Sequence, residues 1–287
     1  MKNTAKSLLM LVGALCCSLM GLAQPNHYIH GEVDASSIPE NAFVYLNGPT
    51  TIKMDVGKQL AGISGKNYDL TITGTGKLSV RPDKLYSQRV IDLRNLAINQ
   101  GVQVEVDAPT ANNKGVYVDQ YLQVQGSFSV NSHESAISGG HLTVDGGSVS
   151  AIGKDFGIYV NTLDINGEVK AQGAKYSGIN VEGKMTVTGG TVKAIGSVSG
   201  IYVLQADLGG EIQVVGTGED SNGIMAGSQL VIRGKVTAIG RDHGIHAQNA
   251  TINFYNCEAT AMGNIGIWSA IGIKCDNSIL KSADSSH

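Results

Sequence analysis

The 287-residue sequence has little of what defines several common protein classes. It contains only 5 prolines, 4 cysteines and one tryptophan, and charged residues make up 16% of it, with a net charge of −3. Scarce proline argues against a low-complexity or disordered chain. Scarce and nearly balanced charge excludes a basic patch for nucleic acid. Outside the N-terminal segment, no window has the i, i+3, i+4, i+7 apolar spacing of an amphipathic helix.

The first two dozen residues have the anatomy of a secretory signal. Two lysines precede the apolar stretch 7–22, and Ala23 ends a small-residue cleavage site before Gln24. A lipoprotein signal would need a small residue before its cysteine, whereas Cys16 follows a leucine and Cys17 follows Cys16. We therefore expect 1–23 to be a signal peptide and the protein to be secreted, periplasmic or on the cell surface. No second apolar run approaches the ~20 residues that span a bilayer, so we expect no transmembrane anchor.

Glycine is abundant, at 38 residues, alongside many Val, Ile and Thr. This composition favours an all-β chain with many turns. A short unit of the form Gly-Ile-x-Val recurs at spacings of 21, 21, 21, 22, 23, 21 and 22 residues. The units begin at Gly115, Ala136, Gly157, Gly178, Gly200, Gly223, Gly244 and Gly266. Such a fixed period predicts a repeat architecture.

Each unit carries two further strand-like segments, such as Leu142-Thr-Val-Asp-Gly and Ser148-Val-Ser-Ala-Ile-Gly. Apolar and polar residues alternate in all three, so each strand has one buried and one outward face. We predict an all-β, right-handed parallel β-helix of about ten coils of 21–27 residues, with three short strands per coil. A β-propeller is the rival architecture, but its blades need about 40 residues and four strands.

Small alanines at equivalent positions predict a tight inward column at one corner of the helix. They are Ala151, Ala171, Ala194, Ala238 and Ala261. The predicted organisation is an N-terminal arm or cap at 24–43, a parallel β-helix at 44–281 and a polar tail at 282–287. Because solenoid ends expose unpaired strand edges, both ends need covering.

One outward row could bind a ligand. Equivalent residues of successive coils line up, and the outward position of the first strand reads Tyr117, Ser138, Tyr159, Asn180, Tyr202, Met225, His246 and Trp268. The tyrosines fall two coils, or about 9.6 Å, apart, a spacing that could cradle a linear sugar polymer on rings with apolar faces and polar edges. The alternative is a structural ladder, since aromatics favour strands and brace neighbouring coils.

Acidic residues before the Gly-Ile strands are weak candidates for a metal site. Glu134 and Asp155 occupy the same place in adjacent coils, and Asp220 and Asp242 precede later strands. Stacked carboxylates repel one another. A Ca²⁺ ion would relieve the repulsion, as would a nearby lysine or plain solvation.

Two cysteines remain after signal removal. Cys257 and Cys275 fall in adjacent coils but not at equivalent positions. In an oxidising compartment they could form one disulfide, and the alternative is two buried free thiols. The stretch Arg241-Asp242-His243-Gly244-Ile245-His246 combines acid and base, but no third His or Cys stands at zinc-ligand spacing.

The coil pattern resembles that of polysaccharide lyases and polygalacturonases. Their catalytic motifs Asn-Thr-Asp, Asp-Asp, Gly-His-Gly and Arg-x-Pro-x-x-Arg do not occur here, so we do not expect an enzyme. Residues 44–280 more closely resemble non-catalytic carbohydrate-binding proteins of pectate-lyase-like β-helix fold. The resemblance is carried by Leu70-Thr-Ile-Thr-Gly-Thr-Gly-Lys-Leu-Ser-Val and by the Gly-Ile-x-Val, Leu-Thr-Val-x-Gly-Gly and Val-x-Ala-x-Gly units.

That resemblance implies secretion by a bacterium and binding of an acidic polysaccharide with the help of calcium. The leading hypothesis is thus an exported protein that binds polysaccharide along one outer face. A surface adhesin or structural repeat protein without a glycan ligand is the first alternative, and a polysaccharide lyase is the second.

Overall fold

The computed structural model describes residues 26–82, 89–110 and 114–284. These residues form 22 strands and one 3-10 turn, Ala35–Ser37. The N-terminal strands are β1 (Asn26–Asp34), β2 (Phe43–Met54), β3 (Lys58–Leu60), β4 (Gly62–Gly74), β5 (Lys77–Val80), β6 (Arg89–Ile98), β7 (Gln103–Ala108), β8 (Lys114–Val124) and β9 (Ser127–Ser132). The central strands are β10 (Ile137–Gly153), β11 (Ile158–Gly173), β12 (Ser177–Gly196), β13 (Ser199–Leu208) and β14 (Glu211–Gly216).

The C-terminal strands complete the stack. They are β15 (Asn222–Ile232), β16 (Lys235–Ile239), β17 (His243–Ala247), β18 (Thr251–Tyr255), β19 (Glu258–Gly263), β20 (Ile265–Ser269), β21 (Gly272–Asp276) and β22 (Ile279–Asp284). The strands pair in parallel, each with its equivalent one coil away. The predicted right-handed parallel β-helix is confirmed, with about twelve coils instead of ten.

Each coil has three faces, which the single strand β10 illustrates. Residues 137–139 lie on the first face, 141–145 on the second and 148–153 on the third, and the register shifts where the strand bends. Alternation sends Val149 and Ala151 inward, where both are buried, and leaves Ile152 outside, 47% exposed. Because the coils stack in register, the same inward positions recur from coil to coil, and the apolar core is continuous along the axis.

The predicted alanine column exists. Ala151 pairs with Ala171, which pairs with Ala194, and Ala238 pairs with Ala261. All five are buried. Glycine recurs opposite this column for a steric reason: a Cβ at Gly157 would lie 2.6 Å from the carbonyl oxygen of Gly178 and 2.7 Å from the amide nitrogen of Gln172. Main chain thus packs on main chain at this corner.

The N-terminal end begins earlier than the helix predicted for 44–281. Strand β1, within the segment expected as an arm or cap at 24–43, pairs with β2 and adds a coil to the stack. Behind it Ala35, Ile38 and Ala42 are buried. The predicted signal peptide 1–23 lies outside the described residues.

The C-terminal end is open in the described part of the chain. The last coil, β20 to β22, pairs on one side only, and its Ile273 and Cys275 are exposed although their partners Ile252 and Phe254 are fully buried. Of the predicted tail 282–287, Ser282 to Asp284 belong to β22 and the rest lies outside the described residues. No helix in the described ranges is long and apolar enough to cross a membrane.

Candidate functional site: an aromatic row on the first face

The strand register places all the predicted row residues on one line. Tyr117 pairs with Ser138, which pairs with Tyr159. The line continues through Asn180, Tyr202, Met225, His246 and Trp268. In the opposite direction it extends beyond the predicted row through Asp92, Ser64, Tyr45 and Tyr28. The row therefore runs the full length of the described helix.

The row points outward because its neighbours on each strand point inward. Ile158 and Val160 flank Tyr159 and are buried, as Val116 and Val118 are around Tyr117. The row residues themselves are mostly half-buried, and Trp268 is the most exposed of the aromatic members beyond Tyr28, at 36%. They are thus partly packed against each other and partly open to solvent.

A second column lies beside the row. The residue just before the corner glycine contacts the row residue three positions later: Phe156 and Tyr159 have ring centroids 5.2 Å apart. Likewise, Asn222 Nδ2 lies 3.9 Å from Met225 Sδ. The first face therefore carries two adjacent lines of outward side chains.

A cleft of about 420 Å³ opens on this face between two row tyrosines. Tyr117 and Tyr159 stand on either side of it, two coils apart, and the intervening coil supplies only small residues, Ser135, Ser138, Gly139 and Gly140. Its remaining lining is polar: Arg89, Asp119 and Asn161. The cleft thus combines aromatic walls with charged and amide groups.

The two tyrosines of the cleft are held in place by acidic partners. Tyr117 Oη donates a hydrogen bond to Asp119 Oδ1 at 3.1 Å, and Tyr159 Oη donates to Glu182 Oε1. Burial and then the bond to Asp119 raise the pKa of the Tyr117 phenol, while the bond to Glu182 and then burial raise the pKa of Tyr159. Both phenols therefore stay neutral at physiological pH, with their hydroxyl hydrogens already engaged.

Arg89 covers one side of the cleft. Its guanidinium carbon lies 3.6 Å from the Tyr117 ring centroid, and its Nη1 lies 3.5 Å from Asp92 Oδ1. Tyr117 is therefore not a free aromatic platform, since a cation stacks on its ring. Sequence reasoning missed Arg89, Asp119 and Asn161. Arg89 could have been found from the coil register, which pairs it with Lys114, three residues before Tyr117.

The far end of the row has a different character. His246 packs edge-on against Trp268 with ring centroids 4.6 Å apart. Burial and then the neighbouring His243 lower the pKa of His246, against the opposite effect of Asp242. Asn180, in the middle of the row, has a buried side-chain oxygen without a hydrogen-bond partner.

The predicted acidic metal candidates do not converge. The strands before and after Glu134 and Asp155 are offset by 21 residues, which aligns these two carboxylates in adjacent coils. Asp220 and Asp242 are out of alignment by one position, because Asn222 pairs with His243. Asp242 Oδ2 lies 2.9 Å from His243 Nδ1. No group of three or more His, Cys, Asp or Glu suited to a metal occurs in residues 26–82, 89–110 and 114–284. A calcium ion would need six to eight oxygens, so protein carboxylates alone do not build its site there.

The two cysteines are free thiols, so the disulfide alternative is not adopted in this structure. Cys275 pairs with Phe254, whereas Cys257 contacts Ser278, with Sγ and Oγ 3.4 Å apart. They occupy different positions of adjacent coils, which keeps them from facing each other. The expectation that both free thiols would be buried holds for Cys257 alone, because Cys275 lies in the open last coil and is exposed.

A row of apolar side chains on the third face also escaped the sequence analysis. Ile152, Gln172, Ile195, Val215, Ile239 and Met262 succeed one another in register. Ile152 and Ile195 are the most open, 47% and 43% exposed. The sequence pattern that could have revealed this row is the unit Val-x-Ala-Ile-Gly. Because its Val and Ala point inward, alternation along the strand places the isoleucine outward.

No protein-family model, no curated protein and no solved structure matches this chain. Its class, a right-handed parallel β-helix, is established by the strand register.

Proposed function

We propose that this protein is an exported, non-catalytic β-helix that binds a polysaccharide along its first face. The observation that carries the proposal is the cleft between Tyr117 and Tyr159, whose small floor leaves room for a ligand segment between two aromatic side chains. Sugar rings have apolar faces and hydroxyl edges, which suit a cleft lined by the Tyr159 ring and by Tyr117 with Arg89 stacked on it. A continuous line of outward residues on either side gives a linear polymer a path beyond the cleft.

Arg89 favours an acidic polysaccharide among linear polymers. A guanidinium binds a carboxylate through two parallel hydrogen bonds. Arg89 stacks on Tyr117 and, among the described residues, makes a long charged contact of 3.5 Å with Asp92, which a ligand carboxylate would replace. Asn161 and Ser135 provide uncharged donors and acceptors for hydroxyl groups on the same wall. In this proposal a Ca²⁺ ion would bridge ligand carboxylates to protein oxygens.

The test is a glycan array probed with the purified protein, with and without a chelator. Wild type should bind an acidic linear polysaccharide, and the double variant Tyr117→Ala/Tyr159→Ala should lose about tenfold or more in affinity, the equivalent of about 1.4 kcal/mol. Tyr121→Ala is the matched control, because Tyr121 is 61% exposed on the second face of the same coil. A Tyr202→Ala variant reports whether binding extends along the row.

Three results would contradict parts of this proposal. Absence of any glycan signal would remove it. Equal losses of affinity in the double variant and in Tyr121→Ala would show that the cleft is not the binding site. Unchanged binding in chelator would remove calcium while leaving the glycan site in place.

The exposed apolar row on the third face favours a second candidate, a surface adhesin or structural repeat protein. Exposed apolar patches mark protein interaction sites, and the exposed Ile152 and Ile195 lie two coils apart on one line, with Gln172 between them. Replacing both isoleucines by serine should then abolish binding to a protein partner and leave glycan binding unchanged.

A further inference from the structure

A cluster of metal-binding side chains lies at the C-terminal end of the first face, away from the cleft. The register brings Met225 beside His246 and Asn222 beside His243 in adjacent coils. The rings of His243 and His246 lie 4.4 Å apart, centroid to centroid, on either side of a corner glycine. Trp268 closes the cluster from the next coil, packing edge-on against His246.

The cluster contains buried polar atoms without hydrogen-bond partners. His243 and Asn222 are 8% and 6% exposed, and His243 Nδ1, His246 Nδ1 and Asn222 Oδ1 are all buried and unpartnered. Asp242 Oδ2 lies 2.9 Å from His243 Nδ1 but outside hydrogen-bond geometry, so that nitrogen has an ionic neighbour only. A buried polar atom that nothing satisfies destabilises the fold. Their concentration at one place points to a ligand.

The donor types decide which ligand fits. Imidazole nitrogens bind zinc and copper, and the two buried, unpartnered Nδ1 atoms belong to rings whose centroids lie 4.4 Å apart. Asp242 lies beside His243 Nδ1, but no group of three or more His, Cys, Asp or Glu in the described residues is suited to hold a metal ion, which leaves a zinc or calcium site incomplete. The remaining donors are the amide oxygen of Asn222 and the thioether of Met225, and the thioether is a soft ligand that selects monovalent copper.

We propose that His243, His246 and Met225 bind one monovalent copper ion. The two imidazoles and the thioether supply three soft or borderline donors, as Cu(I) prefers. Trp268 shields the cluster on its open side, since its ring contacts both histidines, at 4.6 Å from His246 and 6.0 Å from His243. The site would use the residues at the end of the row that the cleft leaves free.

The test uses the full chain with all four cysteines replaced by serine, because thiolates also bind Cu(I). Under anaerobic conditions Cu(I) is added against a competing chelator, and tryptophan emission is followed. Trp268 is the only tryptophan in the chain, so its emission reports this cluster. We expect one equivalent of Cu(I) to bind and to quench the emission, whereas Zn²⁺ and Ca²⁺ leave it unchanged.

Three variants give the assignment its sharpest test. Met225→Leu and His246→Gln should each weaken Cu(I) binding about tenfold or more, that is by about 1.4 kcal/mol. His141→Asn is the matched control, because both ring nitrogens of His141 already contact threonine hydroxyls on the second face. Thermal unfolding of each variant checks that the fold is intact.

Stoichiometric Cu(I) uptake that falls in the two cluster variants and persists in His141→Asn supports the site. Absence of one-equivalent binding, or binding unaffected by Met225→Leu, overturns it. Equally tight binding of Zn²⁺ would overturn the choice of a soft monovalent ion.

Discussion

The Phe156 ring packs against the Tyr159 ring with centroids 5.2 Å apart, although residues three apart on a regular strand point to opposite faces. The contact forms at the corner that includes Gly157, where the chain turns onto the first face. The same relationship joins His243 and His246, at 4.4 Å. The histidine cluster therefore depends on the same kind of corner, which repeats with the coil.

Inward and outward isoleucines should contribute very differently to the free energy of unfolding. Ile158→Ala empties a fully buried site and should lower the free energy of unfolding by about 2–5 kcal/mol. Ile152→Ala, at a site 47% exposed, should cost less than about 1 kcal/mol. Urea unfolding followed by circular dichroism measures both. Similar losses in the two variants would contradict the assignment of Ile152 to the outer surface.

The corner glycines should not accept a side chain. In Gly157→Ala the new Cβ meets main-chain atoms at 2.6 and 2.7 Å, which cannot move without disturbing two coils. We expect a loss of about 1–3 kcal/mol. Gly48→Ala is the control, because its Cβ would have only an ordinary contact, 3.6 Å from His30 Cβ. Equal thermal stability of the two variants would contradict the close main-chain packing at this corner.

The two thiols should react at very different rates. Exposed Cys275 should be labelled by maleimide in the native protein, and buried Cys257 only after unfolding. Peptide mapping by mass spectrometry locates the label on each cysteine. Recovery of a peptide pair linked through both residues under non-reducing conditions would contradict the free-thiol state.

Acid should weaken the helix through carboxylates that are paired in the folded state. Arg94 Nε and Nη2 each lie 2.8 Å from a different oxygen of Asp69, and this pairing, with help from Asn95, holds the pKa of Asp69 below its ordinary 3.8. A depressed folded pKa contributes stability above the unfolded pKa and loses it as pH falls through the folded value. Because both side chains are more than a third exposed, we expect less than about 1 kcal/mol from the pair.

The measurement is the unfolding midpoint in urea at neutral pH and at a pH below 3.8, for wild type and Asp69→Asn. The variant should be slightly less stable at neutral pH and should lose less stability on acidification. Identical pH profiles would show that the pair makes no contribution.

Much of the fold was predictable because it is periodic. The 21-residue spacing from Gly115 to Gly266 implies stacked coils, and once coils stack, equivalent residues must align, so the row from Tyr117 to Trp268 follows from counting. The number of coils was underestimated because the segment before Val44 lacks the glycine unit, although β1 pairs there with β2.

The site was less predictable, because it depends on contacts between residues that no period relates. The stacking of Arg89 on Tyr117 joins residues 28 apart in a coil of irregular length. The meeting of His243 and His246 depends on the angle of a corner, which alternation along a straight strand does not contain. Glycan binding by wild type and by Tyr117→Ala/Tyr159→Ala distinguishes a binding surface from a structural ladder.

The sequence by itself determined the strands, their inward and outward faces and the core, since these depend on spacing and polarity that each residue carries with it. The tertiary structure decided which outward side chains meet. It closes one row tyrosine under an arginine, opens a cleft beside Ser138, and collects unpartnered nitrogens beside Met225. The physical reason is that periodicity sets the order of residues along the helix, whereas the bends at the corners set the distances between them.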